Sequence, residues 1–418
     1  MTPPEVAQLQ RRTLRVLVAS QALGGLGISV GIAVAAVLAR DVSGSEALAG
    51  LVQTAQVVGT ALASYLLARL MGRHGRRVGM VTGYAIGGAG ALTCVLGGAV
   101  GSYPVLVLGG LLLGATGATN YQTRYAATDL AEPDHRARAV ATVMWATTFG
   151  AVLGPNLVGP AGAAAVDLGL PRLTGAFLLS AVVVGLAAVV GLVLLRPDPL
   201  QTALALAAED AATRDEPAGE VPGFLELVRR TPAIGWAVLA MSASHAVMVA
   251  VMVMTPLHMD HGGAELELIG LVISVHVLGM YFFSPAMGWV ADHAGRTPLL
   301  GLGGVLLLVA CLLAGLSPEG GSLVIGVGLL LLGVGWSACT VAASTLLTDA
   351  TPIAHRTRVQ GSADLVMNLS AAVAGAAGGV VVDLTSYAVL NVFAALLVAG
   401  VLVAAVRLRV RPVPAPIS

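Results

Sequence analysis

The chain has 418 residues and no net charge, with 57% hydrophobic and 11% charged residues. Soluble domains run at roughly 45–50% apolar and 25% charged, so an ordinary water-exposed globule is excluded. The neutral balance also gives no electrostatic footprint for nucleic acid or an acidic partner.

Twelve apolar runs follow one another, near 15–38, 47–70, 78–100, 104–127, 139–160, 173–195, 231–257, 266–289, 298–316, 322–347, 359–383 and 386–407. Each is long enough to cross a hydrocarbon core of roughly 30 Å as a helix. The third, sixth, ninth and twelfth runs are the blandest and are expected to face lipid. Every basic residue is Arg, and only Arg40 and Arg172 fall in turns on the side opposite the N-terminus. The positive-inside rule therefore puts both termini, and the segment 196–230, in the cytoplasm of a cell-membrane protein. That segment holds Arg196-Pro-Asp-Pro, an acidic Ala-rich stretch and Arg229-Arg230. It reads as a partly helical tether between residues 1–195 and 231–418, and not as a domain. The first run is too long for a cleavable signal peptide and leads into a second span. Cys94, Cys311 and Cys339 lie in separate apolar runs, which suits small core residues better than a disulfide or a metal site.

Two short polar islands recur at a fixed offset. Gly75-Arg76 returns as Gly295-Arg296, and Thr128-Asp129 with His135-Arg136-x-Arg138 returns as Thr348-Asp349 with His355-Arg356-x-Arg358. One shared offset means that the chain between the islands was duplicated without net insertion. Duplicated membrane bundles with matching polar turns are the mark of secondary transporters. The expected fold is an all-α membrane protein, twelve transmembrane helices in two pseudo-symmetric six-helix bundles.

The repeated turn resembles the Gly-x-x-x-Asp-Arg-x-Gly-Arg-Arg signature of the major facilitator superfamily. Its first copy, Ala68 to Arg77, has Ala68 and Gly72 in place of the leading Gly and the Asp, followed by Arg73, Gly75 and Arg76. The second copy keeps Gly288, Asp292, Gly295 and Arg296. The resemblance implies a cytoplasmic latch in which Arg76 pairs with Asp129 and Arg296 with Asp349. The missing first-copy Asp should weaken that latch on one side. In the fifth run, Gly150-x-x-x-Gly154-Pro155-x-x-Val158-Gly159 resembles the motif that marks antiporters of this superfamily. The similarity is to its twelve-helix drug–proton antiporters. One departure cuts against a routine member: where those proteins carry an Arg in the fourth helix, this chain reads Gly110-Leu-Leu-Leu-Gly114.

Ionisable side chains inside a membrane are costly and mark functional candidates. Arg124 in the fourth run and Asp364 in the eleventh lie at similar depth, and their repeat positions hold Ser344 and Met144. In the resembled fold both helices border the central cavity, so the two can pair between the halves. The alternative is that Arg124 snorkels to the interface and Asp364 caps a helix start. His245 and His276 fall near mid-membrane and can carry protons, or be neutral hydrogen-bonded core residues. Candidate cavity residues are Gln21, Asn120, Tyr121 and Asn368, the stripe Gln53, Gln56, Thr60, Ser64, and Met248 and Met252, a flexible surface for apolar ligands or plain membrane filler. His258, Asp260 and His261 read as a solvated outer rim.

These features point to a proton-driven exporter of small apolar or drug-like compounds, acting as a monomer without a bound cofactor. The competing reading is a proton-coupled importer of a small metabolite such as a vitamin or organic acid, with Arg124 as an anion hook. An enzyme has no support, since the chain has no nucleotide loop, paired metal-ligand motif or appended soluble domain.

Overall fold

The computed structural model describes residues 1–45, 48–212, 223–320 and 323–410. The described residues form helices and turns, with no strand among them. Six helices, α1 (Pro3–Ser43), α2 (Leu51–His74), α3 (Arg76–Ala99), α4 (Tyr103–Ala126), α5 (Arg136–Asp167) and α6 (Gly175–Leu194), account for the first six runs. Two shorter helices, α7 (Pro199–Ala212) and α8 (Phe224–Arg230), lie in the tether. Residues 213–222 of the tether fall outside the described residues.

Then come α9 (Pro232–His261), α10 (Leu266–Tyr281), α11 (Ser284–Ala294), α12 (Arg296–Leu316), α13 (Leu323–Asp349), α14 (Arg356–Leu384) and α15 (Tyr387–Val410). Counting α10 with α11 as the eighth span, twelve helical spans among the described residues are long and apolar enough to cross a membrane. The expected count of twelve is therefore met. The observed first helix starts well before its apolar run and carries Arg11 and Arg12 on its polar extension.

Two compact units emerge. One comprises Met1–Ala131, Ala146–Val221 and Ile353–Leu365, the other Glu132–Trp145, Pro222–Pro352 and Val366–Ser418. Thus the first turns of α14 belong with α1–α4, and the first turns of α5 belong with α9–α13. Within the first unit α4 packs on α1, α2 and α3, and α6 on α1 and α3. Within the second, α13 packs on α9, α10 and α12, and α15 on α9 and α12. Each unit thus repeats one pairing scheme, as a duplicated sequence requires.

The turns show the same duplication at backbone level. A single residue separates α2 from α3, and another separates α11 from α12. These are Gly75, at φ 90° and ψ 167°, and Gly295, at φ 100° and ψ 154°. A side chain is strained at that positive φ, so Gly is the residue that lets one helix end and the next begin with no loop.

Large apolar side chains stand exposed in stripes on the four bland spans. Examples are Leu92 and Leu96 on α3, Val182 and Leu186 on α6, Val305 and Leu312 on α12, and Val392 and Leu396 on α15. Such stripes suit hydrocarbon and not water. The eighth span breaks at Phe282–Phe283 because Pro285 has no N–H for the carbonyl of Tyr281. The Ser284 hydroxyl donates to that carbonyl instead, at 2.7 Å.

Candidate functional site

The first unit holds a buried polar network built from α3, α4 and the start of α14. Arg76, the first residue of α3, has no solvent exposure. Its Nε donates to Asp129 Oδ2 at 2.8 Å and its Nη2 to Asp129 Oδ1 at 3.2 Å. Nη1 donates to Gln122 Oε1 at 3.0 Å, and Nη2 also donates to Gln360 Oε1 at 2.8 Å. The Met71 sulfur, 3.8 Å from Nη1, faces the remaining N–H. A guanidinium out of water is tolerable only with its donors satisfied and its charge opposed, and both conditions hold here.

Asp364, fully buried on α14, is the second centre of this network. Arg124 Nη2 lies 2.6 Å from its Oδ1, Tyr125 OH donates to the same oxygen at 3.3 Å, and Gln122 Nε2 donates to Oδ2 at 2.9 Å. The Arg124 guanidinium also stacks over the rings of Tyr121 and Tyr125, 5.1 and 4.8 Å from their centroids. Two Arg and two Asp, joined by Gln122, thus form one neutral assembly linking α3, α4 and α14.

In the second unit, Arg296 Nε lies 3.3 Å from Asp349 Oδ2, and Arg136 Nη1 donates to Asp349 Oδ1 at 2.7 Å. The side chains are 13–19% exposed, so water screens this cluster where it cannot reach the first. Asp292 joins the cluster through Arg296, whose Nη2 lies 3.8 Å from its Oδ1, and it also caps a helix. Its carboxylate accepts the backbone N–H groups of Ala137 at 3.2 Å and Arg138 at 3.0 Å, and Arg138 Nε at 3.1 Å. An acidic cap on the unsatisfied N–H groups at the start of α5 anchors that helix to α11.

Gly72 stands at the corresponding place in the first unit, and a Cβ there would sit 2.7 Å from Thr357 Oγ1. A side chain there would require the Thr357 hydroxyl to move. Asp198, ahead of α7, instead accepts the N–H of Arg77 at 2.7 Å and those of Leu200 and Gln201 at 3.0 and 3.1 Å. It ties the tether to the start of α3. Arg73 is exposed at the end of α2.

The fifth-span motif packs tightly at its start. A Cβ on Gly150 would overlap the backbone between Gly25 and Leu26, and one on Gly154 would come within 2.6 Å of Ser29 Cβ. These two glycines bring α5 against α1, Pro155 lies inside α5, and Gly159 has no atom within 4 Å of its Cβ position.

The other candidates divide into separate groups. Gln21 donates to Thr147 Oγ1 at 2.9 Å, and Asn120 accepts from Tyr84 OH at 3.0 Å, which itself reaches the Ser20 carbonyl at 3.3 Å. They line a polar seam among α1, α3, α4 and α5. On α2, Gln53 is exposed, but the Thr60 and Ser64 hydroxyls are buried and bond backbone carbonyls. Gln56 is also buried. Three of the four stripe residues are therefore buried among helices.

His276 is fully buried, its Nδ1–H directed at the Leu329 carbonyl of α13 at 2.9 Å. His245 Nδ1 accepts the Trp336 indole N–H at 2.9 Å. Met248 is buried and Met252 half-buried on the same helix, and Asn368 is buried on α14. In the outer turn, His258 is buried, stacks on Tyr387 and meets Ser317, while Asp260 and His261 are exposed.

Gln122 and Gln360 were not singled out from the sequence. One signal existed. Their repeat positions hold Ala342 and Val140, just as those of Arg124 and Asp364 hold Ser344 and Met144. All four polar residues break the repeat, two in each half, and they meet in one place.

Comparison with known proteins agrees with this architecture. The family model of the major facilitator superfamily matches residues 17–269 and 259–418. The chain is 38% identical over 401 residues to the uncharacterized MFS-type transporter YddS of Bacillus subtilis, covering 95% of this chain and 90% of that protein. It is 29% identical over 413 residues to the riboflavin transporter RfnT of Brucella anthropi, covering 97% and 98%. The fold is shared with the human organic anion transporter MFSD10, at a TM-score of 0.76 and 17% identity over 97% of this chain and 100% of that one. It is likewise shared with the proton:xylose symporter XylE, at 0.75 and 16% over 98% and 97%. With twelve spans, duplicated glycine turns and a family match over nearly its whole length, the chain belongs to the major facilitator superfamily of membrane transporters.

Proposed function

We propose that this protein is a proton-coupled, alternating-access transporter of the cell membrane that exports small apolar compounds as a monomer. The observation that carries the reading is the buried Arg124–Asp364 pair, which joins a helix of residues 1–195 to one of residues 231–418. On this reading those two segments are the moving bundles, and both termini and the Arg76 network lie on the cytoplasmic side. A carboxylate that takes up a proton loses its hold on the guanidinium, and α14 is then released from α4. Proton entry at Asp364 would drive one half of the cycle, and substrate the other. The packing of Gly150 and Gly154 on α1 supports export, because that motif marks antiporters in the resembled family.

A second reading is favoured by the likeness to a protein named as a riboflavin transporter. On that reading the chain imports a flat heterocyclic vitamin. Arg124 is held by Asp364, which counts against its serving as a free anion hook for an acid.

Cells expressing the protein separate the two. Reduced accumulation of lipophilic fluorescent dyes, reversed by an uncoupler, supports export. Gain of riboflavin uptake supports import. If correctly inserted protein changes neither, both substrate assignments fall.

A further inference from the structure

We infer that Gln122 is a positioning residue that couples the proton-sensitive pair Arg124–Asp364 to the latch Arg76–Asp129, so that the two open as one. The inference rests on the gating reading above and deepens it. Gln122 is fully buried on α4, and its amide is used at both ends. Oε1 accepts from Arg76 Nη1 at 3.0 Å, and Nε2 donates to Asp364 Oδ2 at 2.9 Å. The two roles are not interchangeable. A carboxylate accepts only and a guanidinium donates only, so an amide between them has one satisfying orientation. Losing either partner leaves half of a buried amide unpaired, a state whose cost would be relieved by moving the other half.

Gln360 reinforces the direction of this coupling. It lies one helical turn before Asp364 on α14 and accepts from Arg76 Nη2 at 2.8 Å. Motion of α14 therefore pulls on Arg76 twice, through Gln360 directly and through Asp364 by way of Gln122. At the repeat position the second unit has Ala342, which can make neither bond. The coupling is thus confined to the bundle end that lacks the capping Asp of the turn motif, where Gly72 stands. A latch that has lost one anchor gains one controlled by a titratable carboxylate.

The test needs no substrate. Thr128 is fully buried beside Asp129, so Thr128→Cys reports latch opening through its rate of alkylation by N-ethylmaleimide in proteoliposomes. The native cysteines are all buried. With Gln122 present, Asp364→Asn should raise the labelling rate on the order of tenfold, inside the roughly 5–150-fold span of couplings between sites. In the Gln122→Leu background labelling should already be fast, and Asp364→Asn should change it by less than about twofold.

Gln122→Glu keeps the shape. In acid its protonated carboxyl donates to Asp364 and accepts from Arg76, so labelling matches that of Thr128→Cys alone at the same pH. In alkaline buffer it loses the donor, repels Asp364, and labelling accelerates relative to Thr128→Cys alone at the same pH. The other ionisable groups in this network are Arg76 on α3, Tyr121, Arg124 and Tyr125 on α4, Asp129 after α4 and Asp364 on α14. All are common to both proteins, so the ratio isolates position 122.

The inference is overturned if Asp364→Asn leaves labelling unchanged. It is equally overturned if that change acts by the same factor in the Gln122→Leu background, or if Gln122→Glu shows no pH step. Transport by Arg124 variants is a separate readout. Normal transport in Arg124→Ala with coupling intact would remove the gate and keep the relay, and the reverse pattern would do the opposite.

Discussion

Replacing Arg124 by Ala removes one partner of a pair whose side chains are 3% and 0% exposed and whose atoms lie 2.6 Å apart. Breaking such a pair by one partner costs about 3–5 kcal/mol, because the remaining charge stays buried without its counter-charge. Here the remaining Asp364 keeps two neutral donors, Gln122 Nε2 at 2.9 Å and Tyr125 OH at 3.3 Å. The cost therefore sits at the low end, about 3 kcal/mol. A two-state balance moves from 1:99 to 99:1 for about 5.5 kcal/mol, so about 3 kcal/mol takes a 99:1 preference to roughly even.

The assay is the accessibility of a single introduced cysteine from each face of membrane vesicles, read together with transport. Arg124→Ala should shift accessibility toward the other facing state and slow transport. The exchange Arg124→Asp with Asp364→Arg should recover part of both. Recovery is partial for a structural reason. An Arg at 364 calls for the Gln122 carbonyl, which Arg76 already uses. If the exchange is no better than either single change, the pair does not act as a gate.

Asp349→Asn should impair transport while leaving membrane insertion intact, since Asp349 holds both Arg136 and Arg296; transport assays alongside surface expression check it. Asp292→Ala should cost about 0.5–2 kcal/mol of stability as the loss of a helix cap, and Asp292→Asn less, because the amide oxygen still accepts backbone N–H groups; thermal melting in detergent ranks them. Gly150→Ala should destabilise by crowding α1, whereas Gly159→Ala, with open space around it, should be silent in the same melting assay. Equal effects at the two glycines would show that the motif does not act through packing.

How much could be read from the residues alone depended on the physics at each position. Gly75 and Gly295 were legible because a loopless helix junction needs positive φ, which favours one residue type. Arg124 and Asp364 were legible because a charge stands out in an apolar run. Gln122 and Gln360 were not, since amides in membrane helices are often plain helix–helix glue. Only the fold brings them to Arg76 and Asp364. The stripe on α2 is a different case. Thr60 and Ser64 have helical spacing, but their hydroxyls bond carbonyls of α2 and α4, which periodicity cannot reveal. Asp292 pairs with Arg296 and Arg138, and its cap on α5 is the part not legible in the residues. Distinguishing a cap from an ion pair requires knowing which helix end lies opposite.

The most direct measurement is proton-driven flux in proteoliposomes with an imposed pH gradient, comparing the native protein with Asp364→Asn. The dye or riboflavin identified in cells serves as the transported probe. The native protein should move the probe faster when the gradient is present. Asp364→Asn, which cannot exchange a proton at that carboxyl, should lose the acceleration while remaining folded. Undiminished gradient-driven flux in Asp364→Asn would contradict the assignment of Asp364 as the proton-coupled gate.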